Sequence, residues 1–186
     1  MQSPPEPIEE LRRAILRNEY ERMVEAGVFD GGRVELLYGV IVRMTPHGPP
    51  HDATLDRLTE LLVRSAPPHT KVRIQSAFAA SGDSEPEPDL AVVPRRDYDD
   101  AHPSEAFLVV EVAVSSLSVD RGAKARLYAE SGVGEYWVVD VAGRLVEVHT
   151  EPTNGRYARI TPHRRGDTIT IASLEGLVIA VDDFVR

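Results

Sequence analysis

The sequence predicts an α/β protein in which a mixed central sheet is flanked by helices, an α+β arrangement in one domain. Three observations carry this. Helical and strand-like segments interleave in the order α, β, α, β, β, β, α, β, β, followed by several short strands. The run from Phe107 to Val114 is apolar throughout except for Glu111, as expected of a strand covered on both faces. The length of 186 residues, 42% of them hydrophobic and 27% charged, suits one domain with a substantial core, and no interdomain linker or internal repeat interrupts it.

Residues 1–7 are proline-rich and are expected to be disordered, which leaves 8–186 as the folded domain. From Pro7 to about Ala26, the residues Ile8, Leu11, Ile15, Tyr20 and Met23 recur at helical intervals, and Gly27 can end that helix. Asp30-Gly31-Gly32 is turn chemistry, and residues 34–44 then predict two strands bent near Tyr38-Gly39. After a loop at 45–50, residues 51–65 predict a second helix with Leu55, Leu58, Leu61 and Leu62 on one face, ended by Pro67-Pro68. A strand at 71–76, an acidic loop at 81–88, a strand at 89–93 and the apolar strand at 107–114 follow. A polar connection at 115–119 leads into a third helix at 120–131, with Gly132 where a left-handed residue closes a helix. A strand pair at 135–139 and 145–150 turns at 140–143, and short strands at 156–160, 168–171 and 177–181 complete the chain.

The composition removes several classes of function. Without cysteine there are no disulfides and no thiolate metal sites. No stretch is long and apolar enough to span a bilayer, and the N-terminus lacks the layout of a signal peptide, so a cytoplasmic location is expected. The formal net charge of −9 argues against a protein that coats nucleic acid, but not against an enzyme with a local basic cleft and a bound cation. The phosphate-binding P-loop, the dinucleotide fingerprint, the H-E-x-x-H zinc motif and the glycine-flanked nucleophile elbow are all missing.

What remains is Glu111. A carboxylate inside an apolar strand is costly unless it is paired, hydrogen-bonded or bound to a cation. Asp89 opens the strand 22 residues earlier, directly after Pro88. If the two strands are neighbours, side-chain alternation lets both acids face one side, with the small Ala91 and Ala113 leaving room for an ion. Oxygen ligands of this kind suit Mg²⁺, which would polarise a scissile phosphate. Lys124 shares a helix face with Asp120, and the pair reads either as a surface ion pair or as a cation aimed at the metal site. Tyr136 and Trp137 read as core packing, and His163-Arg164-Arg165 as a solvated turn.

The stretch 107–140, FLVVEVAVSSLSVDRGAKARLYAESGVGEYWVVD, resembles the core of the Uma2 family (DUF820), in the PD-(D/E)XK restriction-endonuclease-like superfamily. The resemblance extends to RVELLYGVIVRMTP, to the helix opening at His51 and to PEPDLAVVP. It implies a restriction-endonuclease-like core in which Asp89 and Glu111 bind Mg²⁺ or Mn²⁺. The lysine two residues after the acid is replaced here by Ala113, and the resemblance assigns its place to Lys124. Glu35 and His51 match recurrent polar positions near the site; without the resemblance, Glu35 reads as a solvent-facing strand residue and His51 as a helix N-terminal one. The implied activity is metal-dependent endonucleolytic hydrolysis of phosphodiester bonds in nucleic acid, with DNA as substrate and a homodimer as the working form. The alternatives are a nucleic-acid-binding or protein-interaction domain that has lost hydrolysis, and a phosphodiesterase acting on RNA or a small substrate.

Overall fold

The computed structural model describes residues 13–29 and 32–186. The expected N-terminal tail, the first part of the expected opening helix and Asp30-Gly31 lie outside these residues. The first helix, α1 (Arg17–Glu25), packs Tyr20 inward, and the Tyr20 hydroxyl donates to the Val34 carbonyl. A hairpin follows, β1 (Val34–Leu37) and β2 (Val40–Arg43). Its two turn residues, Tyr38 and Gly39, both have positive φ, the mirror-image turn that matches the twist of a two-residue hairpin. Only glycine fits at 39, because a Cβ there would lie 2.4 Å from the Ala14 Cβ.

Helix α2 (Pro49–Ser65) starts on two prolines, whose fixed φ suits a first turn that has no intrahelical N–H partners to lose. The central sheet then assembles from β3 (Thr70–Ile74), β4 (Leu90–Pro94), β5 (Leu108–Ala113), β6 (Glu135–Asp140), β7 (Leu145–Thr153) and β8 (Arg156–Arg164), in that spatial order. All neighbours are antiparallel except β5 and β6, which are parallel. The sheet is therefore mixed, as expected, and the parallel pair is joined by the segment that carries Lys124. A separate hairpin, β9 (Thr168–Ile171) and β10 (Leu177–Ala180), closes the chain. No described helix is long and apolar enough to cross a membrane.

Alternation along β5 divides the interior in two. Leu108, Val110 and Val112 face a large apolar core with Leu55, Leu58 and Leu62 of α2, Trp137 and Phe184. Val109, Glu111 and Ala113 face the other way, toward Phe78, Tyr128 and Tyr136.

Three expectations are corrected. The third helix is not one α-helix: a short α3 (Leu117–Val119) runs into a π-helical turn (Asp120–Lys124) and then α4 (Ala125–Glu130). The strand expected at 156–160 continues to Arg164, because backbone pairing with β7 extends past the point where any apolar pattern marks it. Ala91 and Ala113 do not line the cavity; they are buried in the second core.

Candidate active site

The register Leu90↔Val110 and Ala91↔Val109, continued by one residue, sets Asp89 opposite Glu111. Asp89 Oδ2 accepts the Val112 N–H at 2.8 Å, so a side chain takes the place of a backbone partner where β4 begins. The same oxygen lies 3.1 Å from His51 Nε2. His51 enters from the first turn of α2 and is buried; its Nδ1 is 3.1 Å from Asp52 Oδ1. Both ring nitrogens of His51 face carboxylates, so a proton on one leaves the other free to accept or to ligate. Burial alone would lower the His51 pKa, but the hydrogen bond to Asp89 and the Asp89 and Asp52 charges outweigh it and the net shift is upward. Asp89 moves the opposite way: burial would raise its pKa, but the contact with His51, the Val112 N–H and the Lys124 charge bring it below the ordinary value.

Glu111 is only 4% exposed. Its Oε1 accepts from Lys124 Nζ at 3.0 Å and from the Tyr128 hydroxyl at 2.9 Å. Lys124 Nζ is also 3.1 Å from Glu35 Oε2, on β1, and Glu35 is itself buried and accepts the Glu87 N–H. Glu35 is therefore no solvent-facing strand residue. Nor is Lys124 a surface partner of Asp120: it bridges two buried carboxylates from β1 and β5.

The π-turn explains how one segment supplies three inward groups. In an α-helix, four residues advance about 400°, so residues at i, i+4 and i+8 drift by about 40° per step. The wider π-turn, closed by the Ala125 N–H to the Asp120 carbonyl, counters that drift. Asp120, Lys124 and Tyr128 are all buried as a result. The Asp120 carbonyl gains a second donor, the Tyr136 hydroxyl, and its side chain accepts from Ser116 at 2.5 Å.

These groups enclose a cavity of about 250 Å³, lined by Glu35, His47, His51, Asp89, Glu111, Asp120 and Lys124 among others. All five residues singled out from the sequence line it. The residues that sequence reasoning missed are His47, Tyr128 and Gln75. His47 stacks on His51 with ring centroids 3.9 Å apart, and its Nδ1 is 3.0 Å from Gln75 Nε2. Gln75 has a positive φ, a strained conformation for a non-glycine residue at the rim of the site. The spacing of His47 and His51, four apart in TPHGPPH, was the available signal for His47.

The charge balance points to a cation. Four buried carboxylates (Glu35, Asp89, Glu111, Asp120) gather around the Lys124 ammonium in a poorly solvated space. Burial pushes the Glu111 pKa well up, against the pull of Lys124. Burial also raises that of Asp120, against the Ser116 hydrogen bond. Lys124 stays charged: burial disfavours its ammonium, but Glu111, Glu35 and Asp120 more than offset this and its pKa rises. For His47 both burial and neighbouring His51 lower the pKa, which keeps a nitrogen lone pair available. His47, His51 and Asp89 each present a ligand atom, all within 4.8 Å of one another. The 3.1 Å between His51 Nε2 and Asp89 Oδ2 is close to the edge of a coordination shell with bonds of about 2.1 Å. The residues present thus fit a divalent cation, and the hydrogen bonds to Glu111 fall on Oε1, leaving Oε2 to a ligand.

A buried acid at the start of β4 stands opposite one in the middle of β5, and the lysine that meets the latter comes from the segment after β5, not from position 113. The fold agrees with a crystal structure from Anabaena variabilis, described as "a putative nuclease belonging to DUF820", at a TM-score of 0.66 and 14% identity over 82% of this chain and 89% of that one. The profile of the Uma2 family, described as "Putative restriction endonuclease", matches residues 17–182, and the chain belongs to that family. No curated protein matches the sequence.

Proposed function

We propose that this protein is a divalent-metal-dependent endonuclease that hydrolyses phosphodiester bonds in DNA. The observation that carries this reading is the convergence of Asp89, Glu111 and Lys124, from three separate elements, on one cavity that also holds two histidines. Asp89 and Glu111 are the proposed carboxylate ligands, and the ligand atoms of His47 and His51 lie within 4.8 Å of that of Asp89. A bound Mg²⁺ or Mn²⁺ would polarise the phosphate and acidify a water. The chain's own groups do the rest. Lys124, held by Glu111 and Glu35, presents a fixed positive charge to the developing negative charge on the phosphoryl oxygens. Tyr128 and Glu35 fix Glu111 and Lys124 in place, since each shares a hydrogen bond or ion pair with one of them. The proposed working form is a homodimer in the cytoplasm, one protomer per DNA strand.

A second reading is a domain that binds nucleic acid or protein without hydrolysing it, and the net charge of −9 favours its protein-binding form. Cleavage assays on plasmid and single-stranded DNA with Mg²⁺ or Mn²⁺ separate the two. Wild type should cut and Glu111→Ala should not; absence of cleavage in both, with folding intact, would leave the second reading. Calorimetric titration with Mn²⁺ should show binding to wild type that Asp89→Ala loses, and equal binding by both would place the metal elsewhere.

A further inference from the structure

Strand β3 is the edge of the six-stranded sheet. Its register pairs Arg73 with Ala91 and Lys71 with Val93, so both cations stand on the sheet face that carries Glu111. Gln75, next on that side, contacts His47 in the cavity wall. The row Gln75, Arg73, Lys71 therefore leads out of the cavity for about 13 Å, at roughly 3.3 Å per residue. Arg95 lies beside the start of β3: its N–H donates to the His69 carbonyl, its Nε donates to the Pro68 carbonyl, and with Lys71 it lines a cleft of about 210 Å³ at the sheet edge, beside the end of α2.

Three cations gather round one ring. Lys71 Nζ lies 5.7 Å from the Tyr98 centroid, Arg73 Cζ 5.2 Å and Arg96 Cζ 5.4 Å. Cation–π contacts hold these side chains without cancelling their charge. Arg96 is already paired with Glu105 at 3.8 Å. Lys71, Arg73 and Arg95 have no ion-pair partner among the described residues, and Arg73 Nε is buried with no hydrogen-bond partner. In a chain of net charge −9, this is a local reversal of sign that starts at the rim of the acidic cavity. The exposed Asp97 and Asp99 flank Tyr98 in the chain, and neither is ion-paired with these cations.

We propose that the β3 row of Arg73 and Lys71, extended by Arg95, is a track that grips the phosphate backbone of one nucleic-acid strand and leads it into the cavity of Asp89 and Glu111. The proposal rests on the reading of that cavity as a site of phosphodiester cleavage. Lys71 and Arg95 are the separate contacts best placed to carry the salt dependence of binding.

The test is fluorescence anisotropy of a labelled DNA duplex in EDTA, so that cleavage is off, across a salt series. Lys71→Glu/Arg95→Glu should weaken binding and reduce the slope of log affinity against log salt by about 2. Arg156→Glu, on the opposite edge strand, should leave both unchanged. Arg73→Gln is the second variant, and thermal melts confirm that each protein is folded. Hydrolysis of bis(p-nitrophenyl) phosphate, too small to reach β3, should be equal in wild type and Lys71→Glu/Arg95→Glu, while plasmid cleavage falls in the variant. An unchanged salt slope in both the double variant and Arg73→Gln overturns the track even if plasmid is cut. A slope that falls as expected in a protein that cleaves nothing upholds the track and removes the cleavage reading.

Discussion

The two faces of the central sheet are built from the same strands and put to different uses. Toward α2 and the C-terminal hairpin, β5 sends Leu108, Val110 and Val112 into a continuous apolar core. Toward α4, the intervening positions are Val109, Glu111 and Ala113, and the core there is interrupted by a lysine bridged between two acids. Burial of apolar area stabilises the first face. On the second, burial works against the ionised groups, and the pairing of Lys124 with Glu35 and Glu111 offsets it. The difference teaches that one alternating strand can separate the source of stability from the source of chemistry, and substitutions on the two faces should separate accordingly.

The largest effect is expected where the second face is broken from within. Lys124→Met leaves Glu35 and Glu111 buried without their cation and should cost about 3–5 kcal/mol in denaturant unfolding, whereas Lys124→Met/Glu111→Gln should recover much of that loss. Equal destabilisation of the single and double variants would contradict the pairing. On the first face, Leu58→Ala should cost about 2–5 kcal/mol by opening a cavity, with no change in Mn²⁺ affinity of the folded protein measured by calorimetry. A smaller loss, roughly 1–3 kcal/mol, is expected for Gly39→Ala, because a side chain there meets both a positive φ and Ala14.

The smallest effect concerns pH. Glu85, outside the cavity, has its pKa raised to about 7, by burial first and then by neighbouring Glu21. The folded state therefore binds this proton more tightly than the unfolded chain, whose value is near 4.5. Its contribution is fully present below that value and is lost as pH rises through about 7. Thermal melts over this range should show wild type losing stability with rising pH relative to Glu85→Gln; parallel curves would contradict the shift.

Much of this contrast was legible in the sequence. Glu111 stands out because a single charge interrupts an otherwise apolar strand, and side-chain alternation alone places Asp89 on its side once the strands are neighbours. Lys124 had two local readings, a surface ion pair or a cation aimed at the site, whereas Glu35 and His51 needed the family resemblance, since each has an ordinary local reading as an exposed strand residue or a helix start. His47, Gln75 and Tyr128 were not legible. Their roles depend on a loop conformation, a positive φ and a π-turn, none of which leaves a periodic pattern. The length of β8 was hidden for a related reason: its residues are mostly exposed and polar, so pairing with β7 rather than burial defines it. Small size beside an acid signals an empty space and a packed core equally well, and at Ala91 and Ala113 the core is what forms.

The central claim is that the polar face is a metal-dependent cleavage site organised around Glu111. Plasmid nicking with and without Mn²⁺, compared between wild type and the near-isosteric Glu111→Gln, tests it most directly. The account predicts metal-dependent nicking by wild type and a loss of about 10²–10³-fold or more in Glu111→Gln, with the melting temperature kept or raised. Undiminished nicking by folded Glu111→Gln would contradict it.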